Sequence, residues 1–140
     1  MKILFKPGDT KVYRKQVTEE DFARFGDVLV HAVCSTFALA QAAEWAGRLF
    51  LLDMLDHDEE GIGQFLNINH KSPAFEGEEI TVVATLKQHE DNTVICRFEA
   101  HVGERLVAEG ETGQKIFKKE ELAELLDKTN LINGESKRQD

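Results

Sequence analysis

The run 33-VCSTFALAQAAEWAGRLFLLDMLD-56 decides how the rest of the chain folds. It holds no proline and a single glycine, and most of its residues are good helix formers, so it predicts the longest helix of the chain. Ala38, Leu39, Ala42, Ala43, Ala46, Phe50, Leu51 and Met54 wrap more than half of that cylinder in apolar surface, and charge is nearly absent before Arg48. Such a helix has to be covered on most sides. Glu44 interrupts its middle, and a carboxylate there needs a partner to be buried. Ser35 and Thr36 supply N-cap hydroxyls at the start, and Ala42, Ala43, Ala46 and Gly47 let a sheet come close to the helix backbone.

Upstream, residues 9–17 alternate weakly and read as a first strand or extended arm. Thr18 followed by Asp21 imitates a capping box, and Gly26 imitates a stop, which predicts a short helix over 18–26 anchored by Phe22 and Phe25. Asp27 to Val33 then reads as an apolar connection. Downstream, DHDEEGIG is a turn by its acid and glycine content, and from Gly61 the period changes from helical to two. Leu66, Ile68 and His70 share one strand face. Ile80, Val82, Ala84 and Leu86 face inward from the next strand, then Val94, Cys96, Phe98, Ala100 and Val102, and then Leu106, Ala108, Gly110, Thr112, Gln114 and Ile116. The turns HEDN and Gly103-Glu104 separate them, which predicts a meander of four strands. Phe117 to Lys128 reads as a short amphipathic helix, and 129–140 as a polar, frayed tail after a single domain over 1–128.

One element is apolar enough to cover the sheet, so the long helix must lie across it. The expected fold is α+β, a curved antiparallel sheet of about five strands wrapped round a central helix, which is the hot-dog arrangement. Its open edges and incompletely covered helix argue for a homodimer.

Composition narrows the function classes. Net charge is -9, with 26 acidic against 17 basic residues and no basic cluster before the last few, so nucleic acid is not an expected partner. No apolar run approaches a membrane span and no signal peptide is visible, which points to the cytoplasm. Cys34 and Cys96 stand far apart among apolar neighbours and read as reduced core thiols. Asp53, His57, Asp58 and Glu59 resemble a metal cluster, but no second ligand pair accompanies them, and a solvated acidic turn is the better reading; no metal and no cofactor are expected.

Three polar residues fall on otherwise apolar faces: Thr36, Glu44 and His70. Thr36 and Glu44 are separated by about 12 Å of axial rise and roughly 80° of rotation, a gap into which an imidazole fits. If His70 fills it, Glu44 orients the imidazolium while His70 handles a proton at Thr36, at water or on a substrate, and the amides at the helix start favour a developing oxyanion. Each has a plainer role as well: Thr36 as a cap, Glu44 as an acceptor of a backbone amide, His70 as a structural histidine. His31, His57, His89 and His101 lie in loops or on outer faces.

The run S-T-F-A-L-A-Q-A-A-E-W-A at 35–46, the G-x-G from Gly61 and the N-I-N-H ending at His70 resemble the hot-dog thioesterases related to the fluoroacetyl-CoA-specific enzyme. The likeness covers roughly residues 10–120. It implies that Thr36, Glu44 and His70 form the catalytic set, that Gly63 offers a backbone amide to the thioester, and that an acyl-CoA is hydrolysed between two subunits without metal or redox cofactor. The family's arginine on the last strand is matched by Gln114, and its aromatic residues before the long helix by Val30 and its neighbours, so fluorinated-substrate selectivity is not implied. The expected activity is hydrolysis of a short or unusual acyl-CoA thioester, with Gly63 and Gln114 binding substrate; the alternative is a non-catalytic acyl-CoA-binding or regulatory domain. Coenzyme A is anionic, and Lys71, Arg97 and Arg105 are candidates for a basic rim.

Overall fold

A computed structural model describes the backbone of residues 1–139 and the side chains of residues 1–134. In chain order it contains β1 (Thr10–Gln16), a single 3-10 turn (Glu19–Asp21), β2 (Phe22–Phe25), β3 (Val28–Cys34), α1 (Thr36–Met54), β4 (Glu59–His70), β5 (Glu79–Glu90), β6 (Thr93–Val102), β7 (Arg105–Lys118) and α2 (Lys119–Gln139). Five strands form an antiparallel sheet in the order β1-β5-β6-β7-β4, and α1 touches all five. This is the expected hot-dog architecture. Alternation places Ile80, Val82, Ala84 and Leu86 of β5 and Val94, Cys96, Phe98 and Ala100 of β6 in the core against Leu39, Ala43, Ala46, Phe50 and Met54 of α1. The β5–β6 turn is closed by Asp91 and Asn92, both with positive φ (50° and 64°), whose twist matches that of the strands they join.

Three sequence expectations give way. The segment 18–26 makes only one helical turn and then a hairpin, β2 with β3. The Asp21 carboxylate does accept the Thr18 N–H at 2.8 Å, but the β-branched run that follows pairs back onto Phe22–Phe25, and Gly26 (φ 64°) turns the hairpin instead of ending a helix. The four-strand meander is a three-strand one, because β4 pairs with β7 at the far edge. Residues 71–78 then carry the chain to β5, held by the Val107 carbonyl and by Arg105, which bonds Ser72, the Pro73 carbonyl and the Glu78 carboxylate. Finally, the strand continues to Lys118 and α2 runs on to Gln139, past the expected end at Lys128; Asp140 of the polar tail lies outside the described residues.

Both cysteines are free and buried, and desolvation pushes Cys34 up to about 11 and Cys96 to about 12, so they are inert thiols. The acidic residues at the end of α1 and in the turn after it are tied up in ion pairs, Asp53 with Lys11 at 2.7 Å and Asp58 with Lys118 at 3.1 Å. Among the described residues no helix is long and apolar enough to cross a membrane.

Candidate active site

The start of α1 is fixed from both directions. Ser35 is the N-cap, its hydroxyl accepting the Ala38 N–H at 2.9 Å, and its own N–H donates to the Asp21 carbonyl at 2.8 Å. Asp21 in turn holds the Lys15 ammonium at 2.8 Å. Burial pushes the Asp21 carboxyl up, but Lys15 and the Thr18 amide outweigh it and leave it below the usual range, while Asp21 raises Lys15. The depressed acid stabilises the fold above its ordinary titration range and the raised base does so below its own. The clasp therefore holds across the whole interval between them and is lost only at the two extremes of pH.

With Ser35 as the cap, the Thr36 hydroxyl is free for another partner. It stands 2.9 Å from Nδ1 of His70, at the end of β4, a separation at which a neutral imidazole can accept the hydroxyl proton. Both side chains are exposed in the single chain.

Glu44 forms a second group. Its carboxylate rests on Gly63 of β4, where a methyl group built on the glycine would overlap it. Buried Gln114 of β7 donates to the Glu44 backbone carbonyl at 3.1 Å. Nearby Gly47 lets the helix press onto β7: a side-chain carbon there would lie 2.8 Å from the Thr112 hydroxyl and 3.3 Å from the Gln114 amide.

These groups are distinct within one chain, and this corrects the expected geometry. His70 reaches Thr36 directly and does not bridge from it to Glu44. The register places Gly63 opposite Gln114 and His70 opposite Ala108, and at about 3.3 Å per strand residue that is roughly 20 Å along the sheet. Allowing for both side chains, the Glu44 carboxylate and the His70 imidazole stay at least ~8 Å apart, beyond a hydrogen bond or one bridging water. An extended strand simply travels further over seven residues than a helix rises over eight.

Nor is Glu44 buried. It belongs to an exposed stripe of α1 with Phe37, Gln41, Trp45 and Leu52, the apolar members being 84% (Phe37), 42% (Trp45) and 50% (Leu52) exposed, and half-buried Arg48 lies beside it. Part of this stripe floors a cleft of about 480 Å³ between the two edges of the curled sheet, walled by Tyr13 and Lys15 of β1 and closed by Gly63 and Gln114. Tyr13 meets Trp45 edge to face at 6.3 Å between ring centres. Arg48 is held by Glu60 at 3.0 Å and by the Gly61 carbonyl at 3.2 Å.

Sequence reasoning passed over Tyr13, Lys15, Gln41, Trp45 and Arg48. Gln41 and Arg48 lie one turn either side of Glu44 and so share its face, a signal that was available; Tyr13 and Lys15 join them only because the sheet curls. Of the basic candidates, Arg105 is engaged with Glu78 and Arg97 faces outward from β6, which leaves Lys71 beside His70. Among the described residues no three His, Cys, Asp or Glu side chains converge as metal ligands.

Comparison with known proteins agrees with this architecture. The family described as the fluoroacetyl-CoA-specific thioesterase, FlK, matches residues 17–120. A thioesterase superfamily member from Thermus thermophilus is similar at 32% identity and TM-score 0.85, over 89% of this chain and 93% of its own. A solved structure of the fluoroacetyl-CoA thioesterase FlK superposes with TM-score 0.79 at 19% identity, over 89% of this chain and 96% of its own. A hot-dog-like protein from Thermanaerovibrio acidaminovorans superposes at 0.82 with 20% identity, over 90% and 93%. No curated protein sequence matches the chain.

Proposed function

Because this chain belongs to the fluoroacetyl-CoA-specific thioesterase (FlK) family, and is therefore a thioester hydrolase, we propose that it is a cytoplasmic homodimer that removes a short acyl group from coenzyme A using Thr36, His70 and Glu44. The observation that carries this reading is the 2.9 Å approach of the Thr36 hydroxyl to His70 at the exposed start of α1, a nucleophile and base in contact. Solved FlK variants hold acetyl-CoA, or fluoroacetate with CoA, which supports an acyl-CoA as the substrate.

In the proposed reaction the Thr36 oxygen attacks the thioester carbonyl as His70 takes its proton. The carbon–sulfur bond breaks, and the departing CoA thiolate receives that proton. Water, deprotonated by His70, then cleaves the threonyl ester to release the carboxylic acid and restore the hydroxyl. The positive end of α1 lies beside the developing oxyanion. Lys71 meets the anionic coenzyme.

Glu44 stabilises the imidazolium, and within one chain it is too far away to do so. A second copy set against the exposed stripe of α1 covers Phe37, Trp45 and Leu52 and brings its own Glu44 to His70. Each site then takes Thr36 and His70 from one subunit and Glu44, with Gly63 and Gln114, from the other.

Thiol release from a series of acyl-CoA esters tests the reading. The His70→Ala and Glu44→Ala proteins are each expected to lose about 10²–10⁴-fold in kcat. Activity near wild type in both rejects the assignment, and binding of CoA esters without thiol release in the wild type identifies a non-catalytic domain. Gly63→Ala is a finer probe. Its new methyl meets only the flexible end of Glu44, so the melting temperature is expected to stay within a few degrees while kcat falls about tenfold or more.

A further inference from the structure

The cleft beside Glu44 belongs to the same site, and its walls bear on which acyl group the enzyme takes; this step rests on the thioesterase reading above. Its volume of about 480 Å³ in the single chain admits an acyl chain, and it opens directly onto Glu44 and Gly63, so its lining decides which chains it favours. Besides Glu44 and Gln114, already described, four polar side chains reach it from two elements: Tyr13 and Lys15 of β1 and Gln41 and Arg48 of α1. The Tyr13 hydroxyl and the Gln41 amide carry no hydrogen bond among the described residues. Lys15 and Arg48 are each steadied by one carboxylate, Asp21 and Glu60, and keep further N–H donors in hand.

A hydrocarbon chain entering this space strips water from all four side chains and returns no hydrogen bond to any of them. An oxygen function at the far end of a short chain replaces that water. We propose that the cleft selects short acyl groups carrying a hydroxyl or carboxylate at their distal end, with Tyr13 and Gln41 as the specificity-determining residues and Lys15 and Arg48 offering their remaining N–H donors.

The test is kcat/KM for thiol release by the full chain from 4-hydroxybutyryl-, succinyl-, butyryl- and octanoyl-CoA. At least one of the two oxygenated esters is expected to exceed butyryl-CoA about tenfold or more, with octanoyl-CoA poorest. Tyr13→Phe and Gln41→Leu are expected to narrow the oxygenated-to-butyryl ratio severalfold. Butyryl- or octanoyl-CoA turned over as well as both oxygenated esters overturns the proposal, as does a ratio that neither variant moves. If no ester is hydrolysed, the catalytic reading fails while this one is still decided by calorimetry with the same esters: tighter binding of an oxygenated ester sustains it, and equal affinities overturn it.

Discussion

A one-to-one mixture of the His70→Ala and Glu44→Ala proteins, unfolded and refolded together, is expected to hydrolyse acyl-CoA at about a quarter of the wild-type rate although each parent alone is nearly inactive. The reasoning is geometric. In one chain His70 lies at the end of β4 against Thr36, while Glu44 rests on Gly63 some 20 Å back along the strand at about 3.3 Å per residue. If the carboxylate that serves each imidazole comes from the other subunit, a mixed dimer collects both defects in one site and leaves its second site intact. Half of the randomly formed dimers are mixed, and each has one working site of two, which gives the quarter. If Glu44 serves the His70 of its own chain, every subunit carries a defect and nothing is recovered. Flat activity across all mixing ratios, in material shown to be folded and dimeric, refutes the shared site.

Phe50→Ala is expected to be the most damaging single substitution for the fold. Phe50 is fully buried at the centre of α1's inner face, edge to face with Phe5 at 5.1 Å between ring centres. Truncation to alanine both forfeits the burial and leaves a cavity that a helix pinned at its start by Ser35 and Asp21 closes poorly, at about 3–5 kcal/mol. Against a total stability of roughly 5–15 kcal/mol for a domain of this kind, that is a large share, and a melting temperature lower by roughly 10 °C is expected. A loss under about 1 kcal/mol in chemical denaturation contradicts the packing described for this helix.

How far the chain can be read without coordinates varies by element, for physical reasons. The covering helix was legible because a run that holds Leu39, Ala43, Ala46, Phe50 and Met54 on one face has no other stable resting place than a sheet. The inward faces of β5 and β6 followed from strict alternation. Strand partners did not follow, since side-chain period says which face is buried and nothing about which neighbour is paired; hence β4 beside β7. The hairpin of β2 and β3 was hidden because Phe22 and Phe25 fit a helical spacing as well as a short strand. Glu44 was placed inside the helix's apolar wrapping because it interrupts a run almost free of other charge, whereas it lies on a stripe whose apolar members Phe37, Trp45 and Leu52 are exposed in the single chain. Ser35 and Thr36 both offered a cap hydroxyl, and only the Ser35 hydroxyl on the Ala38 amide shows which of the two holds that post and leaves Thr36 for His70.

Trp45 is the chain's single tryptophan, and it lines the cleft one residue from Glu44 and against Tyr13. Its indole therefore acts as a built-in optical gauge of that cavity. Emission from this protein originates wholly beside the carboxylate, so a guest molecule's arrival, or the approach of a second subunit, is written into the fluorescence with no label attached and no distant fluorophore to subtract.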